Sequence, residues 1–150
     1  MGRRAKKCKE ARLFLEQLKK LDRLIENKLI EIERWKEIAL NIGSKLDGER
    51  VKGGGGSKQT MADAVSRYVD IENEITADVD KLIEVKSDVI SVIEMLDASE
   101  YDILHKIYVQ YLTMYEVAGK LSISYSAVTT AHGRALVNVQ NILNERKKEG

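Results

Sequence analysis

The chain of 150 residues contains no proline, one cysteine, one tryptophan, one phenylalanine and two histidines. Without proline no helix is forced to kink or stop, so long uninterrupted helices are open to the chain. With Cys8 alone no internal disulfide forms, and a reducing cytoplasm is the expected setting. His105 and His132 stand far from Cys8 and from each other, so zinc-ligand spacing is absent and no cofactor is expected. No apolar run approaches the ~18 residues that would span a bilayer, and no secretory signal follows the basic start, so no membrane association is expected. No nucleophile stands in pattern with a base, which points away from an enzyme.

What the chain has is charge, at 33 % of its residues, and leucine and isoleucine at helical spacing. Net charge is only +1, but residues 1–60 hold 16 Lys/Arg against 9 Asp/Glu (+7) and residues 61–99 hold 3 against 10 (−7). The first two segments are therefore made to attract each other. From about residue 5 to residue 42, Phe14, Leu18, Leu21, Ile25, Ile32, Trp35, Ala39 and Ile42 fall at heptad positions, with Lys28 interrupting. From about residue 60 to residue 96, Met61, Tyr68, Ile75, Leu82, Val89 and Leu96 recur every seven residues, with Ala64, Ile71, Val85 and Val92 between them and Asp78 interrupting. Two such helices should fold back as a long antiparallel, coiled-coil-like hairpin.

Gly43-Ser44 and Asp47-Gly48 are read as the stop of the first helix, and Gly53 to Ser57 as a flexible stretch within a Gly-rich loop over residues 43–58. The loop contains a look-alike of a phosphate-binding loop. That motif needs Gly before its Lys and Ser or Thr after it, whereas Ser57 precedes Lys58 and Gln59 follows, so the nucleotide reading is rejected. The carboxylates of the second helix, Asp63 to Asp88, have no histidine beside them and read as a solvated face. Six basic residues over 3–12, from Arg3 to Arg12, form either a phosphate-seeking arm or a solvated helix start.

After a joint at Asp97 to Glu100, Ser99 and Asp102 are read as capping a helix over Tyr101–Tyr111. Thr113-Met114-Tyr115-Glu116 is a T-x-x-E capping box opening a helix of about eight residues with Val117, Ala118 and Leu121 on its apolar side. Ser122-Ile123-Ser124 breaks it, and Ser124 can cap a longer helix whose inner positions are Val128, Ala131 or His132, Ala135, Leu136, Val139 and Leu143. Ala118 suits a close helix crossing. Such a pair, with its second helix offered outward, fits a DNA major groove.

The string from Glu116 to Leu136 resembles the helix-turn-helix of bacterial sigma factors in their region four, with Glu116, Val117, Ala118, Leu121, Ile123, Ser124, Val128, Arg134, Ala135 and Leu136 in register. The whole chain is similar to phage late-transcription regulators of the RinA/ArpU type. The fold class expected is thus all-α, a hairpin over residues 1–97 followed by a sigma-region-four-like helix-turn-helix over residues 98–150.

The outward face of the second motif helix carries Tyr125, Ser126, Thr129, Thr130, Gly133 and Arg134, whose hydroxyls and guanidinium can meet phosphates or base edges. The resemblance implies a DNA-binding transcription regulator in the cytoplasm of a bacterial host. It would act on double-stranded DNA with host RNA polymerase, while the hairpin either dimerises or engages polymerase. Two departures matter. Arg134 is the only basic residue of that face, and Ser122 stands where a turn glycine is usual. They leave a second reading open, a protein-interaction adaptor whose helix-turn-helix binds a protein and not DNA.

Overall fold

The proline-free first half folds into two helices of near-equal length, α1 (Lys9–Gly48) and α2 (Gly55–Ile93). This computed structural model describes residues 8–48 and 55–150, with side chains for all of these except 45–48 and 55–59. Arg3, Arg4, Lys6 and Lys7 of the basic arm, and Gly53-Gly54 of the glycine run, lie outside the described residues. Every regular element among the described residues is helical. After α2 come α3 (Ala98–Leu104), a π-helical turn (His105–Val109), α4 (Met114–Leu121) and α5 (Tyr125–Glu149). None of these helices is long and apolar enough to cross a membrane.

Cross-helix contacts fix the direction of pairing. Lys28 meets Asp78, Trp35 lies under Arg67, Lys36 meets Glu72, and Gly43 sits against Met61. One number rises as the other falls, which is the mark of an antiparallel hairpin. Ile32, Ala39, Ala64 and Ile71 are buried in this seam, at the heptad positions the sequence assigns.

The helix limits differ from the sequence reading. Gly43-Ser44 does not end α1, which continues to Gly48. A Cβ at Gly43 would lie 3.6 Å from Met61 Cε, so the helix is held by packing across the hairpin, which outweighs the ~1 kcal/mol cost of a helical glycine. Gly55, Gly56 and Ser57 are the first turn of α2 and not linker.

The next joint also differs. Asp97, extended at φ −68° and ψ 163°, caps α3 by accepting from the Glu100 amide at 2.8 Å. Asp102, expected in a cap with Ser99, instead pairs with Lys106. The expected single helix over Tyr101–Tyr111 is an α-helix only to Leu104. Gln110 N–H then bonds His105 O at 2.9 Å in the wider π pattern, and Tyr111 turns left-handed at φ 61°. The wide turn brings Leu104 and Tyr108 into one core.

Packing divides the chain into two compact units, Leu21–Lys81 and the remainder, so residues up to Lys20 group with Leu82–Gly150. The core of the latter gathers Cys8, Ala11, Leu15 and Leu18 of α1, Val89, Val92 and Ile93 of α2, Leu104 and Tyr108, and Ala135, Leu136 and Val139 of α5. Each large side chain buried there contributes about 1.5–3 kcal/mol before entropy. Gln140 of α5 reaches across to accept from the Ala11 amide at 3.0 Å, satisfying a first-turn donor of α1 that its own helix leaves unpaired. Lys147 reinforces the join through Glu10 at 2.6 Å, and Arg146 through Asp88 at 2.9 Å.

Candidate nucleic-acid interface

The capping box closes as the sequence requires. Thr113 Oγ1 accepts from the Glu116 amide and Glu116 Oε1 from the Thr113 amide, both at 3.2 Å. At its other end α4 closes on a left-handed Ser122 (φ 54°, ψ 42°), with Ile123 N–H bonded to Ala118 O at 3.1 Å and Ser122 N–H to Gly119 O at 3.3 Å. That double bond is a Schellman closure with serine in the place glycine fills most easily, at a cost of roughly 1 kcal/mol. Ser124 then caps α5 by accepting from the Ala127 amide at 3.0 Å.

A small core holds the two helices at this angle. Val117 and Ala118 of α4 pack on Val128 of α5 and Ile103 of α3, with Leu121 and Ala131 at its edge. The small methyl of Ala118 is what lets α4 and α5 cross closely.

Behind α5, His132 is buried. Its Nε2 lies 2.7 Å from the Tyr108 hydroxyl, and the two rings stack 5.7 Å apart. Burial, helped by the nearby Arg12, pushes His132 down to about 4, and burial pushes Tyr108 up to about 12. His132 is therefore neutral at pH 7 and adds no positive charge to the motif.

The outward side is open. Ser126, Thr130, Gly133 and Arg134 are exposed, and a Cβ added at Gly133 would meet nothing within 4 Å. Arg134 has no ion-pair partner among the described residues. Thr129 stands differently. It is half-buried and donates its hydroxyl to Ser126 O at 2.9 Å. Tyr125 stacks on Tyr115 of α4 with ring centroids 4.4 Å apart.

Tyr115 is the residue the sequence reading passed over. It is 73 % exposed, the most exposed of the large apolar side chains among the described residues. The signal was present, because the capping box puts Tyr115 off the Val117–Ala118–Leu121 side. Val137, one turn beyond Gly133, extends the same outward face of α5. Lys120 of α4 is exposed nearby in sequence to the turn and supplies a second cation.

The carboxylates of α2 do not form a chemical site. Six of the eight from Asp63 to Asp88 are exposed, while Asp78 and Asp88 are half-buried against Lys28 and Arg146. Among the described residues no three His, Cys, Asp or Glu side chains are placed to hold a metal ion.

No curated protein and no solved structure matches the chain. Residues 42–140, from the end of α1 to the middle of α5, match a family described as a protein of unknown function, DUF1492. That span takes in all of α2, the joint, the capping box and the outward face of α5, and the chain belongs to the DUF1492 family.

Proposed function

We propose that this protein is a DNA-binding regulator of transcription that lays the outward side of α5 in a major groove. The observation that carries the reading is the exposure of Ser126, Thr130, Gly133 and Arg134 along one helix whose opposite side is locked in a core. Preorganisation supports it, since the capping box, the left-handed Ser122 and the Ser124 cap fix the helix before any ligand arrives. Arg134 would pair with a guanine edge or a phosphate. Thr129 would offer its methyl to a thymine, and Ser126 and Thr130 their hydroxyls to phosphates or base edges. The resemblance to sigma region four and to phage late-transcription regulators supports action beside host RNA polymerase, which would supply the binding energy that so few cations cannot. Footprinting on a phage late promoter region with wild type and Arg134→Ala tests it. Loss of ~1–3 kcal/mol in the variant is the expected result, and equal protection by both proteins removes Arg134 from the site.

One observation favours a second reading, a protein-interaction adaptor. Tyr115, Ile123 and Tyr125 form an exposed apolar border around the turn, a composition more usual at protein interfaces than along a phosphate backbone. An adaptor would bind random duplex neither at low nor at moderate salt.

A further inference from the structure

The start of α1 and the end of α5 leave a trough of about 580 Å³ between them, within the one compact unit that holds both. Its apolar lining is Leu13 and Phe14 of α1 and Leu143 of α5. Leu13 is 47 % exposed. Phe14, the only phenylalanine of the chain, and Leu143 are half-buried and rest on the core from outside. Leu13, Gln17 and Lys20 step by four and then three residues along α1, so they share one side of that helix at the opening. Leu143 and Lys147 stand one turn apart on α5 in the same way.

The charge around it is one-sided. Lys20, Arg146 and Lys147 line the trough against a single carboxylate, Glu10. Lys20 is exposed and has no ion-pair partner among the described residues. Arg146 pairs with Asp88 at 2.9 Å and Lys147 with Glu10 at 2.6 Å. Both are solvent-accessible pairs, which are worth little in water, so either cation can turn to an incoming carboxylate. An apolar floor under a basic rim fits a ligand whose apolar groups are flanked by carboxylates. A second copy of the trough would set cations against cations. The first residues of the chain are themselves basic, at Arg3, Arg4, Lys6 and Lys7, and would be repelled in the same way. A phosphate backbone would meet the cations but has nothing to lay on Leu13, Phe14 and Leu143.

We infer that the trough docks an acidic amphipathic helix of a partner protein, with its apolar side on Leu13, Phe14 and Leu143 and its carboxylates on Lys20, Arg146 and Lys147. A helix is the shape that fits, because the groove between two helices receives the side-chain ridge of a third. Leu143 follows Arg134 by nine residues, two and a half turns, so the trough opens on the side of α5 opposite the one proposed for DNA. The inference is therefore independent of whether α5 binds DNA.

The probe is a fluorescently labelled helical peptide of about four turns, with leucines along one side and glutamates beside them. Titrated with the full chain it should bind saturably. A peptide of the same composition in scrambled order should not bind, nor should one with lysines in place of the glutamates. Leu13→Ala and Lys20→Glu change exposed side chains, so the fold is kept, as circular dichroism should show. Each should lower the affinity for the probe about tenfold, and Lys20→Glu should also make it less sensitive to salt. Duplex DNA added to the complex should leave the probe in place. Absence of binding by the folded chain, equal binding of the scrambled peptide, or an affinity that Leu13→Ala and Lys20→Glu leave unchanged each overturns the inference. Displacement of the probe by duplex overturns it as well, since the trough would then be a phosphate site.

Discussion

Lys28 Nζ lies 2.6 Å from Asp78 Oδ2, and these two residues are the ones that interrupt the apolar stripes of α1 and α2. Glu74 adds a second carboxylate at 3.4 Å. The hydrogen bond to Asp78 holds the Lys28 ammonium above its ordinary pKa, so it stays charged throughout the physiological range. Each residue alone is a flaw in an apolar seam. Together they are a register lock, because the charges meet only when residues 28 and 78 are level.

The lock predicts a non-additive pair of substitutions. Lys28→Leu alone leaves the half-buried Asp78 with no cation of its own, and thermal unfolding should move to lower temperature. Asp78→Leu alone should do the same. The double change to Leu should recover the wild-type midpoint or exceed it, since apolar replacements of a partly buried ion pair are commonly neutral or stabilising. A double variant as unstable as the two single changes summed would mean that the pair sets no register.

Much of this was legible because it is local or periodic. Heptad spacing placed Ile32, Ala39, Ala64 and Ile71 in the hairpin seam, and the T-x-x-E string placed the opening of α4. Ser122 was readable as the left-handed turn residue through the resemblance to the sigma helix-turn-helix, where a glycine usually fills that turn position. The reading failed where long-range packing decides. Gly43 is helical because Met61 packs beside it, and nothing near residue 43 announces that. Gln140 reaches the Ala11 amide across 129 residues, a pairing no local pattern encodes. The π-helical turn at His105–Val109 serves the placement of Tyr108 beside His132, and that need is set by α5. At the candidate interface the outward residues were readable from periodicity. That Thr129 spends its hydroxyl on its own helix was not, since this depends on its rotamer.

The buried His132 makes stability depend on acid. Its pKa falls from 6.5 in the unfolded chain to about 4 in the fold, chiefly through burial. Above pH 6.5 it is neutral in both states and costs nothing. As pH drops from 6.5 towards 4 only the unfolded chain takes up the proton, so unfolding becomes easier by up to about 3 kcal/mol. Urea unfolding at pH 7, 5.5 and 4.5 should show that decline, and His132→Gln should flatten the part of it due to this residue. An unchanged slope in the variant would place the titration elsewhere.

Gly133 separates stability from binding. Its added Cβ meets open space within the chain, so Gly133→Ala should raise the unfolding free energy by about 1 kcal/mol through helix propensity alone. On the proposed reading the same methyl stands where α5 approaches the groove, so duplex binding should weaken. A variant that is more stable and binds DNA as well as wild type would show that the glycine is not used for close approach.

The most direct measurement is the affinity of the full chain for duplex DNA at 50 and 200 mM salt. A helix that offers Arg134 and its neighbours to the backbone should lose about tenfold in affinity over that range for every two phosphates it neutralises, and Arg134→Ala should bind more weakly with a shallower dependence. Absence of binding at both concentrations, with the chain folded, would contradict the assignment of α5 to DNA and leave the adaptor reading in its place.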